Sequence, residues 1–347
     1  MLEIDGLRFV TDNTTGITRK RWKDKFHYID INGSRIKDKL EIKRINSLAI
    51  PPAWTNVWIC SHKNGHIQAT GRDARLRKQY RYHPLWRENR DESKYQHMIS
   101  FGKALPVIRQ AVNQALALPG LPQEKVLATI INLMQLTMIR IGNDTYAKQN
   151  KSYGLTTLRN KHIQVDGSEM RFQFRGKSGV EHNITVSDRK LARLIKKIRD
   201  LPGQELFQYI DENGKRQAIS SSEVNGYIRK VTGENFTAKD FRTWYGTLEA
   251  AIQLIQFESF SSETQAKQNV ASAIKTVAKK LGNTPTICRK CYVHPAVIDA
   301  YLSGTLTSHL PKLIGQKNVE SVTLEKNAIS VMLSPEEEAI LEFLERT

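Results

Sequence analysis

The chain is short of cysteine, of uninterrupted apolar sequence and of negative charge, and each shortage narrows what it can be. Three cysteines in 347 residues are too few, and odd in number, for a disulfide framework. No apolar run is long enough to span a bilayer, and Met1–Phe9 lacks the charged and apolar regions of a secretory leader. No basic amphipathic helix or lipidation signal points to a membrane surface. Internal repeats and low-complexity tracts are also missing. A cytoplasmic protein without a membrane partner is the expectation.

The deficit of acid says most about partners. There are 53 Lys+Arg against 35 Asp+Glu, a net charge of +18, spread as +10 over residues 1–90, +13 over 91–319 and −5 over 320–347. A body this basic suggests a polyanion, with nucleic acid first. Length and an ordinary 39% hydrophobic content suit a globular chain of two domains.

The patterning predicts an α+β protein. Residues 1–90 read as a small, mostly antiparallel β domain. Phe26, Tyr28, Ile29 and Ile31 run into Asn32-Gly33, a hairpin signal; a short helix covers Lys37–Leu48; strands follow at Val57–Cys60 and His66–Thr70. Arg87–Lys94 reads as a linker. Residues 91–315 read as a larger, mainly helical domain, with residues 316–347 an acidic extension. Pro122 opens a run from Val126 to Ile139 too apolar to be a surface helix, ending at Arg140, which could complement the helix dipole. Ile163–Val186 alternates through two tight turns, a three-stranded meander with Lys177 at its second tip. Helical patterns return at Asp188–Arg199, Ser222–Thr232 and Ala238–Phe257. A further one ends at Gly282, and Ser334 caps a terminal helix, Ala339–Leu344, for which a solvated helix is the simpler reading and docking on the basic body or binding of a partner the alternatives.

Several stretches invite chemistry. Gly71–His83 interleaves Arg77, Lys78 and Arg81 with Gln79, Tyr80 and Tyr82, a composition suited to phosphates and base edges; a solvated basic face is the plainer alternative. Gly176-Lys177-Ser178 imitates a phosphate-binding loop but leads into a strand and lacks the earlier glycine, since Arg171 stands there. Arg242 lies among aromatic and apolar neighbours and needs an anion, either a carboxylate such as Asp240 or an incoming phosphate. Cys288-x-x-Cys291-x-x-His294 is half a zinc site, but Cys60, far upstream, is the only other thiol; no metal is expected. Tyr292 follows Arg289 and Lys290 closely. A phenol is a poor nucleophile at neutral pH, its pKa being near ~10, and nearby cations favour the phenolate while attracting phosphate. From that segment alone a packed tyrosine is the simpler reading.

Taken together the motifs form a pattern. Ile50-Pro51-Pro52-Ala53-Trp54, Gly71–Tyr82, Met138-Ile139-Arg140-Ile141-Gly142, Phe174-Arg175-Gly176-Lys177, Lys239-Asp240-Phe241-Arg242-Thr243 and Cys288–Pro295 stand in family order. Over roughly residues 1–310 the chain resembles the type IB DNA topoisomerases, specifically the poxvirus and bacterial branch. The resemblance implies a clamp around duplex DNA and a catalytic domain of the type shared with tyrosine recombinases. It makes Tyr292 the nucleophile that forms a 3′-phosphotyrosine, Lys177 the proton donor to the leaving 5′ oxygen, and Arg140 and Arg242 the ligands of the non-bridging oxygens. It implies rotation and religation by a monomer, without ATP, nucleotide cofactor or metal. Gln79, Tyr80 and Tyr82, within the run that includes Arg77 and Lys78, match base-touching positions, and Tyr146 a phosphate or base contact.

One position departs from the pattern. Asn283 stands where poxvirus and eukaryotic members carry histidine; it can donate a neutral hydrogen bond but cannot be an imidazolium. His294 is a rival donor in a setting that does not match. Two competing functions remain. A tyrosine recombinase would show a histidine beside the second arginine and a Leu-Gly-His before the tyrosine, where this chain has Thr243 and Leu281-Gly282-Asn283. A non-catalytic DNA-binding protein would have lost one of the four core residues.

Overall fold

The computed structural model describes residues 6–23, 25–257, 260–309 and 330–347. The chain divides into two compact units, residues 1–96 and 97–347. The first holds a five-stranded antiparallel sheet. Strands β1 (Ile17–Trp22) and β2 (Lys25–Ile29) are followed by helix α1 (Lys39–Ser47) and strands β3 (Thr55–Ile59), β4 (Ile67–Arg72) and β5 (Lys78–Tyr82), in the order β2-β1-β3-β4-β5. The Asn32-Gly33 turn forms, with the Asp30 carboxylate accepting from the amides of Asn32 and Ser34 at 2.9 and 2.7 Å. Past it the chain makes only a single bridge, Ile29 to Arg35, and β2 takes β1 as its ladder partner. The reason is local: Asp38 already caps α1, accepting from Leu40 at 3.0 Å. A small core of Ile17, Ile45, Val57, Ile59 and Ala69 lies under the sheet. The prolines of Ile50–Trp54 supply carbonyls without donors, and Arg19 gathers those of Ile50, Pro51 and Trp54 at 2.8–3.2 Å.

Helix α2 (Pro84–Ala117) runs through residues 87–94, so the expected linker is helical. That segment is polar but holds no glycine or proline to stop a helix. Then come α3 (Gln123–Thr137), α4 (Asp144–Asn150), and the meander β6 (Ile163–Asp166), β7 (Glu169–Arg175) and β8 (Glu181–Ser187). After them lie α5 (Arg189–Arg199), the ribbon β9 (Gln208–Ile210) and β10 (Arg216–Ala218), α6 (Ser221–Thr232), α7 (Ala238–Gln256), α8 (Glu263–Leu281), α9 (Pro285–Tyr292), α10 (Pro295–Leu302), α11 (Leu306–His309) and α12 (Pro335–Glu345). Helices α3 and α7 are buried on nearly every face and form the centre of the second unit's core.

Helix α12 is not a solvated tail. Ala339, Ile340, Phe343 and Leu344 are buried, and Glu337 pairs with Arg109 of α2. Residues 316–329 of the expected extension lie outside the described residues.

Candidate active site

The expected catalytic residues, Arg140, Lys177, Arg242, Asn283 and Tyr292, belong to the second unit. Helix α3 stops because Met138 takes a left-handed conformation, φ 54°. Arg140 therefore lies beyond the helix. Its backbone is fixed by a 3-10 turn, Leu155–Thr157, whose Leu155 amide donates to the Arg140 carbonyl at 2.8 Å. Gly154 permits this approach, since a Cβ there would lie 2.5 Å from that oxygen.

Helix α8 ends in a Schellman arrangement. Gly282 is left-handed, φ 58°, and the Asn283 amide donates to Ala278 O at 2.9 Å. Arg140 Nη2 reaches across to the Gly282 carbonyl at 3.0 Å and to Asn283 Oδ1. With its oxygen engaged, Asn283 turns Nδ2 to a buried position where it has no hydrogen-bond partner.

Arg242, on α7, is 5% exposed. Its partner is not Asp240, whose carboxylate accepts from the Thr237 amide and hydroxyl at 2.8 and 2.9 Å. Arg242 instead donates through Nη1 to Met138 O and through Nη2 to Leu281 O at 2.7 Å. Nε is buried and unpartnered. The guanidinium carbon lies 5.2 Å from the centre of the Tyr292 ring. Burial and the neighbouring Arg140 push the pKa of Arg242 down to about 10, against the pull of Tyr292, which leaves it charged at neutral pH. Burial lowers that of Arg140 too, again opposed by Tyr292.

Tyr292 is the last residue of α9 and packs against α7 through its backbone. A Cβ on Gly246 would lie 2.6 Å from the Tyr292 carbonyl. Thr247 Oγ1 lies 3.3 Å from the same carbonyl and accepts from the His294 amide at 3.0 Å. His294 Nδ1 caps α10, accepting from Ala296 at 3.1 Å. Cys288 is fully buried, and burial raises its thiol to about 11, which suits packing. Lys177 is exposed on the β7–β8 turn, closed by Gly176 N–H to Val180 O at 2.7 Å.

Arg140, Lys177, Arg242, Tyr292 and Tyr146 line one cavity of about 300 Å³, and no described residue lining it is acidic. Lys239 and Tyr153 line it as well. Sequence reasoning gave them no role, although Lys239 opens the second arginine motif. Among the described residues no group of three or more His, Cys, Asp or Glu is placed to hold a metal ion. In the first unit, the remaining expected contacts lie on β4–β5. Arg77 pairs with Asp73 at 2.7 Å and Lys78 with Asp12 at 2.6 Å. Gln79 donates to Asp73 at 3.0 Å, and Tyr80 and Tyr82 stack at 5.7 Å.

Residues 83–308 match the family model of the eukaryotic DNA topoisomerase I catalytic core, and residues 25–73 that of the bacterial DNA topoisomerase IB N-terminal domain. The latter segment contains Ile50–Trp54. A DNA topoisomerase 1B of Acanthamoeba polyphaga mimivirus is 33% identical over 293 residues, 82% of this chain and 87% of its own. The DNA topoisomerase 1B of vaccinia virus (strain Copenhagen) is 25% identical over 232 residues, 66% and 70% of the two chains. Matched from the N-terminal sheet through the tyrosine helix, the chain belongs to the type IB DNA topoisomerase family, in its poxvirus and bacterial branch.

Proposed function

We propose that this chain is an ATP-independent topoisomerase that relaxes supercoiled duplex DNA through a transient 3′-phosphotyrosine. The observation that carries the reading is the acid-free cavity beside Tyr292, with a buried, unpartnered donor on Arg242 Nε; a second such donor, Asn283 Nδ2, does not line the cavity but belongs to the residue bonded to its Arg140. Orphaned buried donors are costly unless an anion arrives to accept from them. A scissile phosphate bound there presents non-bridging oxygens to Arg140, Arg242 and Asn283; one such donor is worth about 10²–10³ in rate. Tyr292 Oη forms a bond to phosphorus as the bond to the 5′ oxygen breaks. The phenol proton leaves to solvent, and Lys177 protonates the departing oxygen. One phosphate ester replaces another, so religation by the 5′-hydroxyl needs no ATP. Arg77, Lys78, Gln79, Tyr80, Tyr82 and Tyr146 contact the duplex, and the protein works as a monomer in a bacterial cytoplasm. The match to the bacterial N-terminal domain supports the bacterial origin.

The test is relaxation of supercoiled plasmid in EDTA without ATP. Wild-type protein is expected to relax it and Tyr292→Phe to be inactive. An inactive wild type, or equal activity in the variant, refutes the reading. Strand exchange between two defined sites would instead establish a recombinase.

A further inference from the structure

His182 has no part in this chemistry, yet it sits where the hairpin of Lys177 meets the helix end of Asn283. It pairs with Phe174 across the β7–β8 ladder, and its ring stacks on Phe174 with centroids 4.8 Å apart and planes 14° from parallel. The opposite edge is pinched between two glycines. A Cβ on Gly176 would come within 2.6 Å of Nε2, and one on Gly282 within 2.6 Å of Cε1. Gly176 immediately precedes Lys177. Gly282 immediately precedes Asn283, and its carbonyl accepts from Arg140 at 3.0 Å. Burial, with the charges of Arg140 and Arg242, lowers the pKa of the imidazole, so the ring is neutral at physiological pH. It adds bulk between the two elements without adding charge to a crowded set of cations.

We propose that His182 is a positioning residue whose ring, wedged between Gly176 and Gly282, sets the reach of Lys177 toward the leaving 5′ oxygen. The proposal rests on Lys177 being the proton donor. The Lys177 turn is exposed and is held by two backbone hydrogen bonds, Gly176 to Val180 and Gly179 to Gly176 at 2.7 and 3.1 Å. A rigid contact behind it is what would fix its height over the cavity.

The experiment is single-turnover cleavage of a duplex at a site mapped with wild-type protein, made with either the ordinary 5′-bridging oxygen or a bridging sulfur. A thiolate leaves without needing a proton, so defects in proton donation vanish with sulfur. Lys177→Ala is expected to be slow on oxygen and restored on sulfur. His182→Ala is expected to lose about 10²-fold on oxygen, the scale of a ~1 Å misplacement, and to recover to near wild-type rates on sulfur. If the alanine variant does not fold, His182→Gln, which keeps the reach of the side chain without the flat ring, is expected to show the same selective rescue. Equal losses on both substrates, or no loss on oxygen, overturn the role of His182. If Lys177→Ala is not rescued by sulfur, Lys177 is not the donor and the proposal falls with it. That outcome is visible without any His182 variant.

Discussion

Replacing Glu337 by alanine should unfold the second unit at a much lower temperature, although the residue lies 45 positions past the proposed nucleophile. Glu337 meets Arg109 in a bidentate pair at 2.7 and 2.9 Å, with both side chains at most 5% exposed. Arg109 also donates to Tyr245 Oη at 2.9 Å, Gln135 Oε1 at 3.0 Å and the Met332 carbonyl at 3.1 Å. Burial works against the charge on Arg109, but Tyr245 and Glu337 outweigh it and hold its pKa above the ordinary value. Removing Glu337 thus strands a cation that cannot discharge. Breaking a buried pair in this way costs about 3–5 kcal/mol. At about 2–4 °C per kcal/mol for a unit of this size, Tm should fall by roughly 6–20 °C. Thermal unfolding followed by tryptophan fluorescence reads it directly, because Trp244 is fully buried next to Gly102 and Leu341 of the same packed region. The double variant Arg109→Met/Glu337→Leu should lie closer to wild type than Glu337→Ala, since it leaves no unpaired charge. A Tm for Glu337→Ala within about 2 °C of wild type would refute the reasoning. So would a double variant whose loss equals the sum of the losses of its two components, Arg109→Met and Glu337→Leu, measured singly.

Two further outcomes are expected. In an open helix Gly→Ala stabilises by about 1 kcal/mol, but at Gly246 the new Cβ would press on the Tyr292 carbonyl at 2.6 Å and its Cβ at 3.2 Å. Gly246→Ala should stay folded and cleave DNA far more slowly, by up to about 10²-fold in single-turnover assays; wild-type cleavage would show that the α7–α9 approach does not matter. Lys78→Ala should reduce the slope of log affinity against log salt by about 1, as expected when one phosphate contact is lost. An unchanged slope in equilibrium DNA binding would remove Lys78 from the interface and leave its pair with Asp12 as its whole role.

The parts legible in sequence are those where one local rule dominates. The meander could be read because Met170, Phe172 and Phe174 alternate, and their burial alternates in step. Helix α3 was legible because it is apolar on all sides, and the end of α8 because Gly282 can take a left-handed turn. The start of α2 was not, since polar composition resembles a linker whether or not a helix continues through it. Nor was the setting of Arg242. Its partners are main-chain carbonyls 104 and 39 residues away, and a carbonyl leaves no mark on composition. In α12 the capping pattern could be read, with Ser334 and Glu337 forming a capping box. The same glutamate's pairing with an arginine 228 residues earlier could not.

Those hidden partners bear on how the proposed site is held ready. Met138 and Leu281 stand at the C-terminal ends of α3 and α8, where carbonyls lack helical donors and carry the negative end of the dipole. Arg242 answers both with one planar guanidinium, which a lysine ammonium could not match in geometry. Met138 lies two residues before Arg140, and Leu281 two residues before Asn283. Arg242 therefore sets the separation of the segments carrying the other two proposed phosphate donors, and the hydrogen bond from Arg140 to Asn283 closes the ring. With Nη1 and Nη2 spent on helix ends, Nε is left facing no protein acceptor. A donor fixed in this way pays no reorganisation when charge develops on a phosphate, which is the condition under which electrostatic stabilisation of a transition state is largest.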